Sequence, residues 1–186
     1  MGQGIFSGTT TRSKIYILAT TAVMTALMCV LAPFSIPVGP VPISLATLII
    51  YLSVYILGWK MATASVAVYL LIGMVGLPVF SGFSGGIAKL AGPTGGYLIG
   101  YIPMAIVAGM VIDHVKNRIA HFAGLVGATA LLYAFGTAWF CLVTGSTLPV
   151  ALSLCVVPFV PGDLMKIVIA IILGTVLRSR IKRALN

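Results

Sequence analysis

The segment FVPGDLMKIVIAIILGTVL, residues 159–177, combines an apolar run of membrane-spanning length with two ionisable residues near its start. About 20 apolar residues cross a bilayer as a helix, so the segment predicts a membrane span. Asp163 and Lys166 lie three residues apart, on one face of that helix. Ionisable groups within a membrane are costly and usually face a cavity, a partner or a substrate. The pair therefore predicts a polar site inside an apolar protein.

The composition of the chain indicates an integral membrane protein. Of 186 residues, 60% are hydrophobic and 7% are charged, against roughly 25% charged residues in soluble domains. Spans of about 20 residues leave no room for a soluble catalytic or ATP-hydrolysing domain. We predict one all-α membrane domain, residues 1–186, with a long outer loop between helices 3 and 4. Its six transmembrane helices are predicted at residues 14–33, 44–58, 61–76, 94–113, 119–144 and 161–179.

The basic residues predict the orientation of these spans. Lysine and arginine accumulate on the cytoplasmic side of membrane proteins, so both termini are predicted to be cytoplasmic. The acidic residue Asp113, beside His114 and Lys116, is interpreted as an interfacial cap. The basic C-terminal end favours anionic lipid over nucleic acid, because no folded basic module accompanies it. Nine of the 11 basic residues lie at the two ends or after the second and fourth spans: Arg12, Lys14, Lys60, Lys116, Arg118, Arg178, Arg180, Lys182 and Arg183.

The connection at residues 76–93, GLPVFSGFSGGIAKLAGP, is rich in glycine and proline and has no helical or strand period. Irregular backbone at membrane depth persists where it is buried in protein or lines a cavity. We therefore predict a lid or wall, with Phe80 and Phe83 as its apolar surface; a plain surface connector is the alternative.

The start of the last span predicts a small-molecule site on the outer side. Pro158 and Pro161 favour a break followed by a helix start, which places Asp163 in the first turn and Lys166 about one turn deeper. A carboxylate accepts N–H donors, and an ammonium binds a carbonyl or carboxylate oxygen. An internal salt bridge that fixes the last helix is the competing interpretation.

Small residues on the first span predict a close helix contact. Ala19, Ala22 and Ala26 form a stripe in the segment ILATTAVMTALMCV, and small residues let membrane helices approach closely. The contact is either packing within the protein's own bundle or docking to another membrane protein.

Other functional classes find less support. An intramembrane enzyme needs a second acid, a nucleophile with its base, or a metal cluster, and Cys29, Cys141 and Cys155 lack metal-ligand spacing. We predict no enzymatic activity, metal or cofactor. A channel or secondary transporter usually shows inverted repeats or further intramembrane charge, and the sequence shows neither.

Four motifs together resemble the BioY family, the biotin-specific S-components of energy-coupling factor (ECF) transporters. They are VPIS at 41–44, GLPVFSGFSGG at 76–86, LAGPTGGYLIGY at 90–101 and VPGDLMKI at 160–167. The resemblance covers nearly the whole chain. Family members often carry Thr and Gln after VPI, where this chain has Ser44 and Ala46.

The resemblance implies a six-helix protein of the cell membrane that captures biotin and delivers it through a membrane scaffold subunit and two cytoplasmic ATPase subunits. The alanine stripe corresponds to the family's scaffold-contacting motif. Asp163 would accept from the ureido group of biotin, and Lys166 would meet its carbonyl or carboxylate. Another small vitamin, or a stand-alone secondary transporter, is the alternative. The expected apolar or aromatic walls are Phe80, Phe83, Tyr97 and Trp139.

Overall fold

The computed structural model describes the backbone of residues 11–37 and 40–185 and the side chains of residues 14–37 and 40–181. Both ends of the predicted domain and the side chains of Arg12, Lys182 and Arg183 therefore lie outside the described part. In chain order the elements are α1 (Thr11–Leu31), β1 (Ser35–Ile36), β2 (Ile43–Ser44), α2 (Ala46–Met74), α3 (Ile87–Ala91), α4 (Gly95–His114), α5 (Arg118–Thr144), α6 (Leu148–Cys155) and α7 (Val160–Leu185).

Five helices in the described ranges are long and apolar enough to cross a membrane: α1, α2, α4, α5 and α7. The prediction of an all-α integral membrane protein is confirmed. The strands β1 and β2 form a small antiparallel ribbon between α1 and α2.

Helix α2 is broken at Gly58, where φ is 76° and ψ is 171°. Backbone with these angles is essentially restricted to glycine because a Cβ atom would clash. The break divides α2 into a first arm, residues 46–57, and a second arm, residues 59–74. The predicted spans 44–58 and 61–76 match the two arms to within two residues at each end.

The first arm runs alongside α7. Thr47, at its start, donates a hydrogen bond to Asp163 in the first turn of α7. Further along, the ring of Tyr55 lies against Gly174, which has no side chain to keep the helices apart. This pairing holds the beginning of α7 next to the β1–β2 ribbon.

The second arm ends next to the 77–93 loop, which is the part of the predicted 76–93 connection that follows Gly76. The Tyr69 hydroxyl donates to the carbonyl oxygen of Val79 at 3.1 Å. The ring of Phe80 lies against Gly73, where a Cβ atom would overlap it. The start of the long loop is therefore attached to the bundle.

Glycines bring α4 and α5 close together, and this pair forms the most extensive contact among the described elements. A Cβ atom on Gly96 would overlap Trp139, and one on Gly136 would overlap Tyr97. Aromatic rings on one helix thus fill the spaces left by glycines on the other.

The short helices α3 and α6 correct the sequence analysis, which predicted neither of them. Helix α3 occupies five residues of the 77–93 loop, and α6 occupies eight residues between α5 and α7. Elements this short contain too few turns to show a helical period.

Candidate functional site

Asp163 lies in the first turn of α7, and its side chain points into the protein. Pro161 occupies the preceding part of that turn, where the missing N–H of proline has no effect on the helix. The Asp163 backbone N–H donates to the carbonyl oxygen of Phe159 at 2.8 Å. The residue is 5% exposed, so its carboxylate needs polar partners from the surrounding protein.

Lys166 is one such partner, and the two residues form the internal ion pair that the sequence analysis gave as the competing interpretation. Its Nζ lies 2.9 Å from Asp163 Oδ1. It also donates to the carbonyl oxygen of Ser44 at 2.8 Å and to Thr47 Oγ1 at 3.2 Å. An ammonium has three N–H donors, so the Lys166 side chain is fully hydrogen-bonded and connects α7 to β2 and α2.

Two hydroxyl groups complete the contacts of the carboxylate. Thr47 donates to Asp163 Oδ1 at 3.3 Å. Tyr133, on α5, donates to Asp163 Oδ2 at 2.6 Å. One carboxylate thus joins α2, α5 and α7, and hydrogen bonds of this charge-assisted kind are about twice as strong as neutral ones.

A polar cavity of about 40 Å³ borders this cluster. Ser44, Thr47, Asp163 and Lys166 form one wall. The other walls are aromatic and aliphatic: Val41, Pro42, Tyr97, Tyr101, Leu132, Tyr133 and Phe159. Its volume suits one or a few water molecules, so any larger solute needs additional space.

A larger cavity of about 630 Å³ adjoins the first, and Ser44 and Lys166 line both. Phe34, Phe83 and Met165 give it a mostly apolar lining. Its volume falls within the roughly 300–1,000 Å³ of small-molecule pockets. Lys166 therefore stands where a polar compartment meets an apolar one.

The tip of the 77–93 loop, residues 81–84, closes one side of the larger cavity. The rings of Phe83 and Phe34 meet edge to face at 5.3 Å, and the Gly82 N–H donates to the Pro33 carbonyl oxygen at 3.0 Å. Phe83 has a φ of 53°, in the left-handed region that a residue with a side chain adopts only at a cost. The loop tip is held in this strained form by contacts with Pro33 and Phe34, in the segment between α1 and β1.

The structure brings together four of the six residues predicted to bind substrate. Asp163, Lys166 and Tyr97 line the polar cavity, and Phe83 lines the larger one. Tyr97 is fixed there because its hydroxyl donates to the carbonyl oxygen of Cys155 at 3.2 Å.

The other two, Phe80 and Trp139, line neither cavity. Phe80 is fully buried, with its ring 5.6 Å from that of Tyr69 in a T-shaped contact. Trp139 Nε1 donates to the carbonyl oxygen of Gly92 at 3.0 Å. Both residues anchor the 77–93 loop, whose Gly82 and Phe83 line the larger cavity.

Sequence reasoning missed Thr47 and Tyr133. They are 116 and 30 residues from Asp163 along the chain, and each looks like an ordinary polar residue within an apolar helix. The nearby motif VPIS at 41–44 was the available signal for Thr47; for Tyr133 the sequence held none.

The predicted docking stripe lies on the outside of α1. Ala19, Ala22 and Ala26 are all exposed. The opposite face packs inward, where Thr25 Oγ1 lies 2.8 Å from Ser65 Oγ. In the described parts of the chain, the small-residue face is therefore not used for packing within the bundle.

By its fold and site, this chain is a multi-pass membrane protein with a candidate small-molecule site. The chain belongs to the BioY family, whose family model matches residues 7–183.

Relatives and a solved structure are similar over most of the chain. "Biotin transporter BioY" of Thermotoga maritima is 40% identical over 157 residues, covering 84% of this chain and 92% of that protein. "Biotin transporter BioY2" of Lactococcus lactis subsp. cremoris is 34% identical, covering 89% and 91%. The crystal structure at 2.1 Å of the S-component for biotin from an ECF-type ABC transporter matches with a TM-score of 0.84 and 30% identity, covering 92% of this chain and 95% of that one.

Proposed function

We propose that this protein captures biotin at the cell membrane as the S-component of an ECF-type transporter, with ATP hydrolysis supplied by partner subunits. Membership of the BioY family supports this function. So do the names of the similar relatives and the similar solved structure. The protein is a substrate-binding transport subunit and not an enzyme.

The observation that carries the proposal is the position of the Asp163–Lys166 pair between a polar and an apolar cavity. Biotin has a matching division: a ureido ring with two N–H donors, then an apolar thioether ring and aliphatic chain, then a carboxylate. The ureido group would bind beside Asp163, and the apolar parts would occupy the larger cavity. A mostly apolar pocket with few polar groups is the usual form of such a site.

Lys166 has two roles in this proposal. It compensates the charge of Asp163, and it meets a ligand oxygen by exchanging one of its bonds to Ser44 or Thr47. Tyr97 and Phe83 serve as walls in contact with the ligand. Phe80 and Trp139, which we predicted as walls, act through the 77–93 loop that both of them anchor.

We further propose six membrane crossings with both termini cytoplasmic. The break at Gly58 supports two separate crossings by α2. The first arm, residues 46–57, is about 18 Å long at 1.5 Å per residue, less than the roughly 30 Å hydrocarbon core. The preceding ribbon would therefore lie within the outer part of the bilayer, covered by the 77–93 loop and α7, as irregular backbone at that depth requires.

The partners in this proposal are a membrane scaffold subunit and two cytoplasmic ATPase subunits, in addition to the lipid bilayer. The exposed stripe of Ala19, Ala22 and Ala26 supports a scaffold contact, because small side chains allow a partner helix to approach closely.

A ligand panel tests the proposal. The protein is purified in detergent, and binding of biotin, riboflavin, thiamine and folate is measured by isothermal titration. We expect saturable binding of biotin alone. Tighter binding of another vitamin would contradict the proposal and identify that vitamin as the substrate. Absence of an ATPase module after mild affinity purification from its native membrane would favour a stand-alone transporter.

A further inference from the structure

Helices α5 and α7 are separated by a groove that forms a third cavity, of about 120 Å³. The two helices pack together much less extensively than α4 and α5 do. Ala130, Val160 and Leu164 are exposed at this groove, so it is open to the surroundings of the bundle. Its lining residues are Val126, Thr129, Ala130, Tyr133, Val160, Asp163, Leu164 and Ile167.

The groove lies at the depth of the hydrocarbon core of the bilayer. Helix α5 begins at Arg118, next to Lys116, and basic residues of this kind mark the membrane surface. Residues 126–133 then lie about 12–23 Å along the helix from Arg118, at 1.5 Å per residue. The hydrocarbon core is roughly 30 Å thick. The groove is therefore surrounded by lipid chains and not by water.

The polar residues of the groove have their hydrogen-bonding groups occupied within the protein. Thr129 donates to a carbonyl oxygen of the preceding turn at 2.7 Å and lies 2.6 Å from the Tyr51 hydroxyl. Tyr133 donates to Asp163 Oδ2 at 2.6 Å, and the other carboxylate oxygen is paired with Lys166. A surface without free donors offers little to a polar solute, and it suits an apolar chain.

Asp163 and Tyr133 line both this groove and the polar cavity. Their hydrogen bond is therefore part of the partition between the polar cavity and the bilayer. An unfilled space beside this partition would lose dispersion contacts along its lining. A hydrocarbon chain in the groove would restore these contacts and keep water from the carboxylate on this side, which strengthens the ion pair with Lys166.

We infer that the groove between α5 and α7 binds one acyl chain of a membrane phospholipid, which completes the wall of the polar cavity behind Asp163 and Tyr133. The cavity volume is below the roughly 300 Å³ at which small-molecule pockets begin, so it suits a segment of a chain. The scaffold contact proposed above uses a different face, because α1 packs mainly on α2. This inference does not depend on which solute the polar cavity takes.

Photolabelling in vesicles tests the inference. The protein is reconstituted into phosphatidylcholine vesicles that contain a small share of phosphatidylcholine with a diazirine midway along one acyl chain. After irradiation, mass spectrometry of peptides compares labelling of Val126, which is half-buried in the groove, with labelling of Val68. Val68 is exposed on the second arm of α2, about 12 Å from Lys60 at 1.5 Å per residue, and so lies at a similar depth.

We expect stronger labelling of Val126 than of Val68, although Val126 is the less exposed of the two. The order of exposure alone predicts the reverse. Weaker labelling of Val126 would mean that the groove is closed or is covered by another protein surface, such as a second copy of the chain, and would overturn the inference. This comparison uses the wild-type protein and needs no variant.

Ala130→Leu fills the groove from its exposed edge and should lower labelling of Val126 several-fold, with labelling of Val68 unchanged. Ala134→Leu is the matched control, because Ala134 is exposed on the same helix and lines none of the three cavities; labelling should equal that of the wild type. If Ala130→Leu left labelling of Val126 unchanged, the lipid contact would be incidental and the inference would be wrong. Failure to bind biotin would overturn the proposed function and leave this inference standing.

Discussion

Asp113 accepts a hydrogen bond from the backbone N–H of Trp59 at 3.0 Å, immediately after the break in α2. A carboxylate at this position caps the first turn of the second arm and complements its dipole. The other oxygen of Asp113 pairs with Arg178 Nη2 at 2.8 Å. One side chain thus joins α4, the second arm of α2 and the far end of α7.

Removing this carboxylate should destabilise the protein more than neutralising it. Asp113→Ala loses the cap and leaves Arg178 without its partner, so we expect the free energy of unfolding to fall by about 3 kcal/mol. Asp113→Asn retains an acceptor for Trp59 and should lose about 1–2 kcal/mol. Unfolding in detergent, followed by tryptophan fluorescence, measures both. Equal losses would mean that the cap contributes little beside the ion pair.

Gly58→Ala should destabilise the chain by about 1–3 kcal/mol, because the backbone at this position is in a region that residues with a side chain avoid. The added Cβ would also lie 2.9 Å from Asp113 Oδ2. Gly127→Ala in α5 is the matched control, since a Cβ there has no neighbour within 4 Å and alanine favours a helix over glycine. A stable Gly58→Ala variant would show that the break does not depend on glycine.

Sequence reasoning recovered the long helices because each consists of an apolar run of membrane-spanning length. It located the two arms of α2 on either side of residues 59–60, where Lys60 interrupts the apolar run, and did not identify Gly58 as the break. It missed α3 and α6, which are held in place by neighbouring elements and are too short to carry a period of their own.

The candidate site likewise has one part that could be predicted from the sequence and another part that could not. Asp163 and Lys166 could be paired from the sequence because their contact is local, three residues apart on one helix. Tyr133 and Thr47 reach the same carboxylate from other helices, and no spacing rule connects them to it. Long-range contacts of this kind require the folded bundle.

Asp163→Asn and Lys166→Ala should each weaken biotin binding by more than about tenfold, since a hydrogen bond to a charged group contributes about 1.5–3 kcal/mol. Isothermal titration of the purified variants measures the change. Lys60→Ala removes a lysine near the break in α2, whose Nζ lies 5.4 Å from the Trp59 ring centroid, and should bind as the wild type does. If the well-folded site variants bound biotin with unchanged affinity, Asp163 and Lys166 would not be part of the binding site.

Replacing Ala22 or Ala26 with Trp should impair assembly with the scaffold subunit and biotin uptake, while leaving biotin binding nearly intact. Both alanines are exposed on α1, so a bulky side chain there blocks a partner helix without disturbing the bundle. Co-purification and uptake are compared with binding in detergent. Ala134→Trp, at an exposed position on α5, is the control for bulk alone. If binding and assembly were lost together, the stripe would belong to the folded core of the protein.

The tip of the 77–93 loop should act as a lid over the larger cavity, while its base stays fixed. The base is attached through buried Phe80 and through the Gly86 N–H, which donates to the Gly73 carbonyl oxygen at 2.7 Å. The tip has a strained backbone at Phe83 and is held by its contacts with Pro33 and Phe34. Release of these contacts would let it exchange between closed and open forms. Biotin should therefore slow labelling of a cysteine introduced at Ser81 or Ser84.

The labelling experiment needs a background in which the free cysteines of the described chain, Cys29, Cys141 and Cys155, are replaced. A cysteine at Ile87, which is exposed beyond the fixed base, is the control and should react at the same rate with and without biotin. We expect protection at the tip alone, because closure over an apolar ligand buries Phe83 and its neighbours together. Equal labelling of the tip with and without saturating biotin would identify the loop as a static wall.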